Sequence, residues 1–318
     1  MAKYISRISD FAYPPPLTHQ GARVCAFPVA ADHEKLVAFC RRYFDQPSGG
    51  AACYYPITNH VLLTVGNIDK IFCNSQPIGS SSEGSIVFWI LTAAGKYVGD
   101  FFVPERLAWF PGYISVDNPF SLVGGREVFG FFKGFCRLDG LPDSSNPYPQ
   151  RLAADIYGLK DLEPESRTQF WPLLELSRVS DGDETLIGKK WDTPGQLFQH
   201  IWSLLPSPIN PIIIPNFHMI ASLIEDLFRR EVLMLFLKQF RDAKSDDDAA
   251  YQAIIEAPAD IKRFSASYIG KYQFTFDEVA SYPFATELGI NNQTEHHGIL
   301  LDMDFVVNQG KEVWKAGV

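Results

Sequence analysis

The chain has 318 residues, with 28 Lys plus Arg against 37 Asp plus Glu and a formal net charge of −9. Hydrophobic residues make up 46% and charged residues 20%, so there is enough apolar surface to offset the entropy of ordering, and disorder is excluded as the main state. The acidic balance, with no Lys/Arg stripe to reverse it locally, argues against nucleic acid as a partner.

No apolar run reaches the roughly 18 residues a membrane helix needs; the longest, Ile86 to Ala94, has the length of a buried strand. The start, MAKYISRISDFAYPPP, has no apolar core and no small-residue cleavage site, so a secretion signal is not expected. The five cysteines, Cys25, Cys40, Cys53, Cys73 and Cys136, are odd in number and contain no C-x-x-C pair. Free thiols in a reducing cytoplasm are the expectation.

In chain order, Arg23 to Val29 reads as a strand leading to Asp32, a helix N-cap. Asp32 to Phe44 places Leu36, Val37, Phe39, Cys40, Tyr43 and Phe44 mostly on one helical face. Gln46 to Ala51 is a turn, Val61 to Val65 a short strand, and the Ser/Gly-rich stretch Ser75 to Gly84 a loop. Strands are predicted at Ile86 to Thr92, Tyr113 to Val116 and Glu127 to Phe132, with Asn118-Pro119 and Gly124-Gly125 as turn chemistry. Arg151 to Tyr157 and Leu173 to Val179 read as further strands.

Thr193-Pro194 opens a helix to about Leu205, stopped by the Pro-rich stretch Pro206 to Pro215, and a second helix is predicted from Phe217 to about Arg229. Strands return at Glu231 to Phe240, Ala249 to Glu256, Ile261 to Ser267, Tyr272 to Phe276 and Ile299 to Val307. Asp246 to Asp248 between them reads as a solvated turn. There is no βαβ alternation and no repeat. The expected fold is one α+β domain over residues 1–318, mostly antiparallel β with a barrel-like sheet core and a few peripheral helices.

The most informative window is Asp117 to Gly134, DNPFSLVGGREVFGFFKG, in which Lys133 follows Phe129, Phe131 and Phe132. A lysine at the end of such a run has two readings. Its head snorkels into water, or it points into an apolar pocket, where burial disfavours the ammonium form and leaves a neutral, nucleophilic amine.

Gly124 to Gly134 resembles the G-R-E-x-x-G-[FY]-P-K segment of the acetoacetate decarboxylase family. Gly79 to Glu83 is similar to that family's G-x-Y-x-E loop, and Tyr113 to Asn118 to its Y-V-D-N-D step. Leu235 to Ala243, Ala249 to Ala257 and Asp302 to Gly310 resemble C-terminal blocks of the broader superfamily. The resemblance implies an acetoacetate decarboxylase-like fold in which Lys133 forms a Schiff base with a keto acid, an activated lysine of the kind known from this family. It implies that Glu83 serves in acid/base work or positioning. Arg126 and Glu127 match the G-R-E pair, with Arg126 a candidate carboxylate anchor, and Arg23 corresponds to the family's N-terminal arginine. Phe129 and Phe131 would line the substrate pocket.

The chain departs from the family at Phe132 in place of proline, at Gly134 in place of a second lysine, at Ser81 in place of tyrosine, and at Pro119. With no cation next to Lys133, desolvation by Phe129, Phe131 and neighbouring strands would have to supply its activation.

The expected chemistry is decarboxylation of a β-keto acid through an iminium on Lys133, the protonated imine accepting the electrons left by carbon dioxide and Glu83 moving protons. The same iminium serves an aldolase or dehydratase acting on a 2-keto acid. A non-catalytic barrel binding a small apolar molecule, or a mainly structural subunit, are the other readings. No cofactor or metal is expected. Family members form homo-oligomers, which is the expectation here. The histidines show no H-E-x-x-H spacing, His296-His297 is read as a polar loop, and Asn292 to Thr294 as an idle glycosylation pattern.

Overall fold

The computed structural model describes residues 3–5, 12–76, 79–99, 101–181, 185–204, 231–291 and 295–317. The predicted Pro-rich stop, the second helix at 217–229 and the Asn292 to Thr294 pattern lie outside them. The strands are β1 (Leu17–Ala30), β2 (Cys53–Pro56), β3 (His60–Cys73), β4 (Ser81–Val98), β5 (Phe101–Val116), β6 (Lys133–Asp139) and β7 (Arg151–Gly158). They continue with β8 (Gln169–Ser180), β9 (Lys190–Trp191), β10 (Glu231–Arg241), β11 (Ala249–Phe276), β12 (His296–Val307) and β13 (Lys311–Lys315). The helices are α1 (His33–Cys40), continued by a π-helical turn over Arg41–Asp45, the short α2 (Gln46–Ser48), α3 (Pro119–Val128), α4 (Pro194–Leu204) and α5 (Phe284–Leu288).

All thirteen strands belong to one sheet, which closes on itself twice. Hydrogen-bonded neighbours run β4-β5-β6-β7-β8-β11-β12-β1-β3 and back to β4. A smaller ring forms because β10 pairs with β11 and touches β5 through Met234 opposite Trp109. Most ladders are antiparallel; β5 with β6, and β10 with β5, are parallel. Closure leaves few open edges. The 28-residue β11 is what allows it, since its first part pairs with β10 and its last part with β8, both rings passing on to β12; its three segments read separately from the sequence are one strand.

The two rings share β1, β3, β4, β5, β11 and β12, and the side chains of those strands alternate between them. On β4, Ile86, Phe88 and Ile90 enter the main core with Phe27, Phe110 and Tyr272. Val87, Trp89 and Leu91 face the other way, into a cavity inside the smaller ring.

Several boundaries differ from the sequence reading. Strand β4 starts at Ser81, inside the predicted loop, and continues through Gly95, which sits at a bulge where a Cβ would lie 2.2 Å from the Val103 carbonyl oxygen. Asn118-Pro119 opens α3 instead of a turn: the Asn118 side chain accepts hydrogen bonds from the Phe120 and Ser121 amides, at 2.9 and 3.4 Å, and Pro119 occupies the first helical position. The helix runs through Gly124-Gly125 and takes in Arg126 to Val128, so the predicted strand at Glu127 to Phe132 is a helix end plus a connection. All five cysteines are buried and free. Among the described residues no helix is long and apolar enough to cross a membrane.

Candidate active site

Lys133 is the first residue of β6, paired with Ile114 of β5, and its side chain runs back beneath α3. Helix α3 ends where the amides of Phe129, Gly130 and Phe131 all donate to the Gly125 carbonyl, at 3.3, 3.0 and 3.1 Å. Gly130 then turns the chain with φ +92°, and a Cβ there would sit 2.4 Å from Cα of Lys238, so glycine is required. Gly125 is a second requirement. A Cβ on it would come within 2.8 Å of Lys133 Cε, so the missing side chain is the channel through which the lysine passes.

Glu83 lies on β4, opposite Ile68 of β3. Its strand end is clamped to the residues preceding α3. The Gly84 amide donates to Asp117 Oδ1 at 2.7 Å, and the Asn118 side-chain amide donates to the Ser82 carbonyl at 2.6 Å. Asn118 therefore both caps the helix carrying Ser121 and fixes the strand carrying Glu83.

Lys133 and Glu83 are each only 7% exposed. Lys133 Nζ donates to Glu83 Oε2 at 2.8 Å and to Ser121 Oγ at 2.7 Å, and the Ser121 hydroxyl donates to the same Glu83 oxygen. The Phe131 ring centroid lies 5.1 Å from Nζ, within cation–π range. Burial pushes the Glu83 carboxyl up, but the Lys133 charge and the hydrogen bonds from Lys133 and Ser121 together outweigh it, and the net direction is down. The resting site is a buried ion pair. This corrects the expectation that desolvation by Phe129, Phe131 and neighbouring strands supplies the activation: the lysine head meets a carboxylate, a hydroxyl and one aromatic face.

Both groups open on a cavity of about 720 Å³. Phe129 and Phe131 line it, as do Ser121 and His19. His19 stacks on Phe305 with centroids 4.4 Å apart and planes 8° apart. Its Nδ1 lies 3.2 Å from the Leu17 carbonyl oxygen, which makes Nδ1 the donor and leaves Nε2 as an acceptor. Burial pushes the His19 pKa down to about 4, with the charges of Glu83 and Lys133 acting in opposite senses.

The other predicted site residues lie elsewhere. Arg126 is exposed on α3 and donates to the Lys133 backbone carbonyl at 3.3 Å; it props the start of β6. Glu127 accepts from the Tyr4 hydroxyl at 2.7 Å. Arg23 pairs with Asp69 at 3.2 Å. None of the three lines the cavity, and among the described residues its lining contains no arginine. No group of three or more His, Cys, Asp or Glu able to hold a metal occurs among the described residues.

Solved structures match this architecture along nearly its whole length. An acetoacetate decarboxylase from Legionella pneumophila superposes with a TM-score of 0.59 at 9% identity, over 96% of this chain and 90% of that one. The chain has the acetoacetate decarboxylase-like fold. An acetoacetate decarboxylase-like enzyme from Sphingomonas wittichii matches at TM-score 0.54 and 12% identity, over 95% and 94% of the two chains. The enduracididine biosynthesis enzyme MppR complexed with pyruvate matches at 0.54 and 12%, over 95% and 91%. No family model and no curated protein sequence matches the chain.

Within this acetoacetate decarboxylase-like fold, two cavity residues went unread in the sequence. Ser121 carries a signal once α3 is recognised: it lies four residues before Gly125 on the same helical face. His19 carries none, because β1 begins at Leu17 and the strand pattern is apolar only from Arg23 onward.

Proposed function

We propose that this protein is a Schiff-base-forming enzyme of the lyase type, with Lys133 as the nucleophile and Glu83 as the proton carrier. The observation that carries the reading is the buried Lys133–Glu83 contact of 2.8 Å at the wall of a 720 Å³ cavity. Nucleophilic attack needs the proton off Nζ, and Glu83 Oε2 is placed to take it. Transfer turns an ion pair into a neutral amine and a carboxylic acid, and burying neutral groups costs less than burying charges. A substrate that expels water from the cavity therefore favours the reactive form.

The amine adds to the substrate carbonyl carbon. The resulting oxygen takes a proton from Glu83, and the carbinolamine loses water to give an iminium. That cation then occupies the place of the ammonium, paired with the Glu83 carboxylate, and withdraws electrons from the bond two atoms away. Loss of carbon dioxide, carbon–carbon cleavage or loss of an α-proton all yield the same enamine. Ser121, bonded to both partners, holds the pair in register. The fold's solved neighbours named above support carbonyl chemistry, one of them being complexed with pyruvate.

Borohydride reduction in the presence of a panel of ketones, aldehydes and keto acids should fix the substrate's mass, less one oxygen, on Lys133. Carbon dioxide release identifies the decarboxylating branch, and deuterium uptake at the α-carbon without gas release the aldol branch. Absence of any adduct across the panel overturns the reading. That outcome would favour a ligand-binding barrel in which Lys133 stays ion-paired, a second reading that the same 2.8 Å contact supports.

A further inference from the structure

Along one face of β4, residues alternate into the cavity in the order Ser81, Glu83, Ser85, Val87, Trp89, Leu91. The strand runs from polar to apolar, and the eight steps from Glu83 to Leu91 span about 26 Å at the usual strand rise. On β3 the order differs: Ile68 and Ile71 lie opposite Glu83 and Ser81, while Thr64, opposite Val87, and His60 add polar groups to a wall that is otherwise apolar. Beyond the lysine the lining includes Val24, Trp109, Met234, Ile261, Phe264 and Leu301. The far end is lined by Leu197, Phe198 and Ile201 of α4. Leu197 packs with Val24, Phe264 and Leu301, and Phe198 with Leu91 and Trp109.

The charge inventory is equally one-sided. Among the described lining residues Lys133 and Glu83 are the only Lys, Arg, Asp or Glu side chains, and they neutralise each other. Arg126 and Arg23, the two arginines expected at the substrate, are engaged outside the cavity. A substrate carboxylate would be buried without a counter-charge, which is strongly disfavoured. The volume falls in the range of about 300–1,000 Å³ that accommodates drug-sized ligands, and a four-carbon keto acid seated on Lys133 would cover only the polar end.

We propose that the carbonyl compound handled at this site is uncharged and carries a long apolar body, its carbonyl at Lys133 and its tail along β4 toward α4. This inference rests on the Schiff-base reading for the carbonyl, and on the cavity alone for the tail, so the two are tested separately. Tail binding is read with 2-alkanols, which have no carbonyl, on the intact protein by calorimetry. From 2-butanol to 2-undecanol, affinity should rise about fourfold for each methylene buried. Carbonyl capture is read by borohydride trapping of 2-undecanone against acetoacetate at equal concentration, with 2-undecanone the favoured adduct on Lys133.

A flat alkanol series together with preferred trapping of acetoacetate overturns the inference and leaves the Schiff base intact. A rising alkanol series with no carbonyl trapped at all overturns the Schiff-base reading and keeps the apolar ligand. A third arm uses Val24→Trp, which fills the far end. It should erase the gain from the longest alkanols and leave 2-butanol binding unchanged. Equal loss for both alcohols, with an unchanged melting temperature, counts against a tail running to that end.

Discussion

Gly125→Ala tests the idea that α3 aims the lysine. The new methyl would lie 2.8 Å from Lys133 Cε, 2.9 Å from Cδ and 3.2 Å from Nζ, where ordinary contact begins at 3.4 Å. The lysine must therefore move by about 0.6 Å. Its bonds to Glu83 and Ser121, now 2.8 and 2.7 Å, would stretch beyond the roughly 3.2 Å limit of good hydrogen bonds. Alanine in place of a mid-helix glycine stabilises α3 by about 1 kcal/mol, while weakening charge-assisted bonds costs about 1.5–3 kcal/mol. The net loss of stability should be about 0.5–2 kcal/mol. Misplacement of a reacting group by about 1 Å costs on the order of 100-fold in rate, so adduct formation should slow by roughly 10–100-fold. The rate of borohydride-dependent mass gain and the denaturation midpoint, measured side by side, check this. A variant that traps carbonyl compounds at the wild-type rate would refute the assignment of Gly125 as the channel for Lys133.

Three further outcomes are expected. Glu83→Gln and Lys133→Met alone should each destabilise by about 3–5 kcal/mol, because each leaves a buried partner unmatched; the double variant should recover most of the loss, and a cycle showing simple additivity contradicts a coupled pair. Stability should fall in acid. The unfolded chain protonates His19 near 6.5 but the folded chain only near 4, so up to about 3 kcal/mol present above pH 6.5 is lost as pH falls to 4. Glu83, whose folded value lies below 4.5, adds a loss that begins below that pH, and His19→Gln should flatten the upper window while leaving the lower one. Asn118→Ala should cost about 1 kcal/mol as a lost helix cap and, by freeing the Ser82 carbonyl, should slow adduct formation more than a cap alone would; an effect confined to stability denies the clamp on Glu83.

The strands that carry the fold were readable because their apolar runs are long: Ile86 to Ala94 has the length of a buried strand, and it is one. What the run hides is that it serves two interiors. Ile86, Phe88 and Ile90 look as apolar as Val87, Trp89 and Leu91, yet one set fills the core and the other walls a cavity, and hydrophobicity alone carries no mark of which face is empty. Lys133 and Glu83 were visible through the short motifs around them. Arg126 and Glu127 share the lysine's motif but not the geometry: α3 presents Arg126 to the outside, a consequence of Asn118-Pro119 starting a helix, and that dipeptide serves turns and helix caps equally well; Arg23, which lies in none of these motifs, pairs with Asp69.

The shared strands act as a party wall between two rooms. Since neighbouring positions along them look into different rooms, a change at Trp89 alters the furnishings of one while Phe88 and Ile90 go on bearing the load of the other. A lineage built on this plan is free to exchange one ligand for another by rewriting every second residue, with the folded frame left standing.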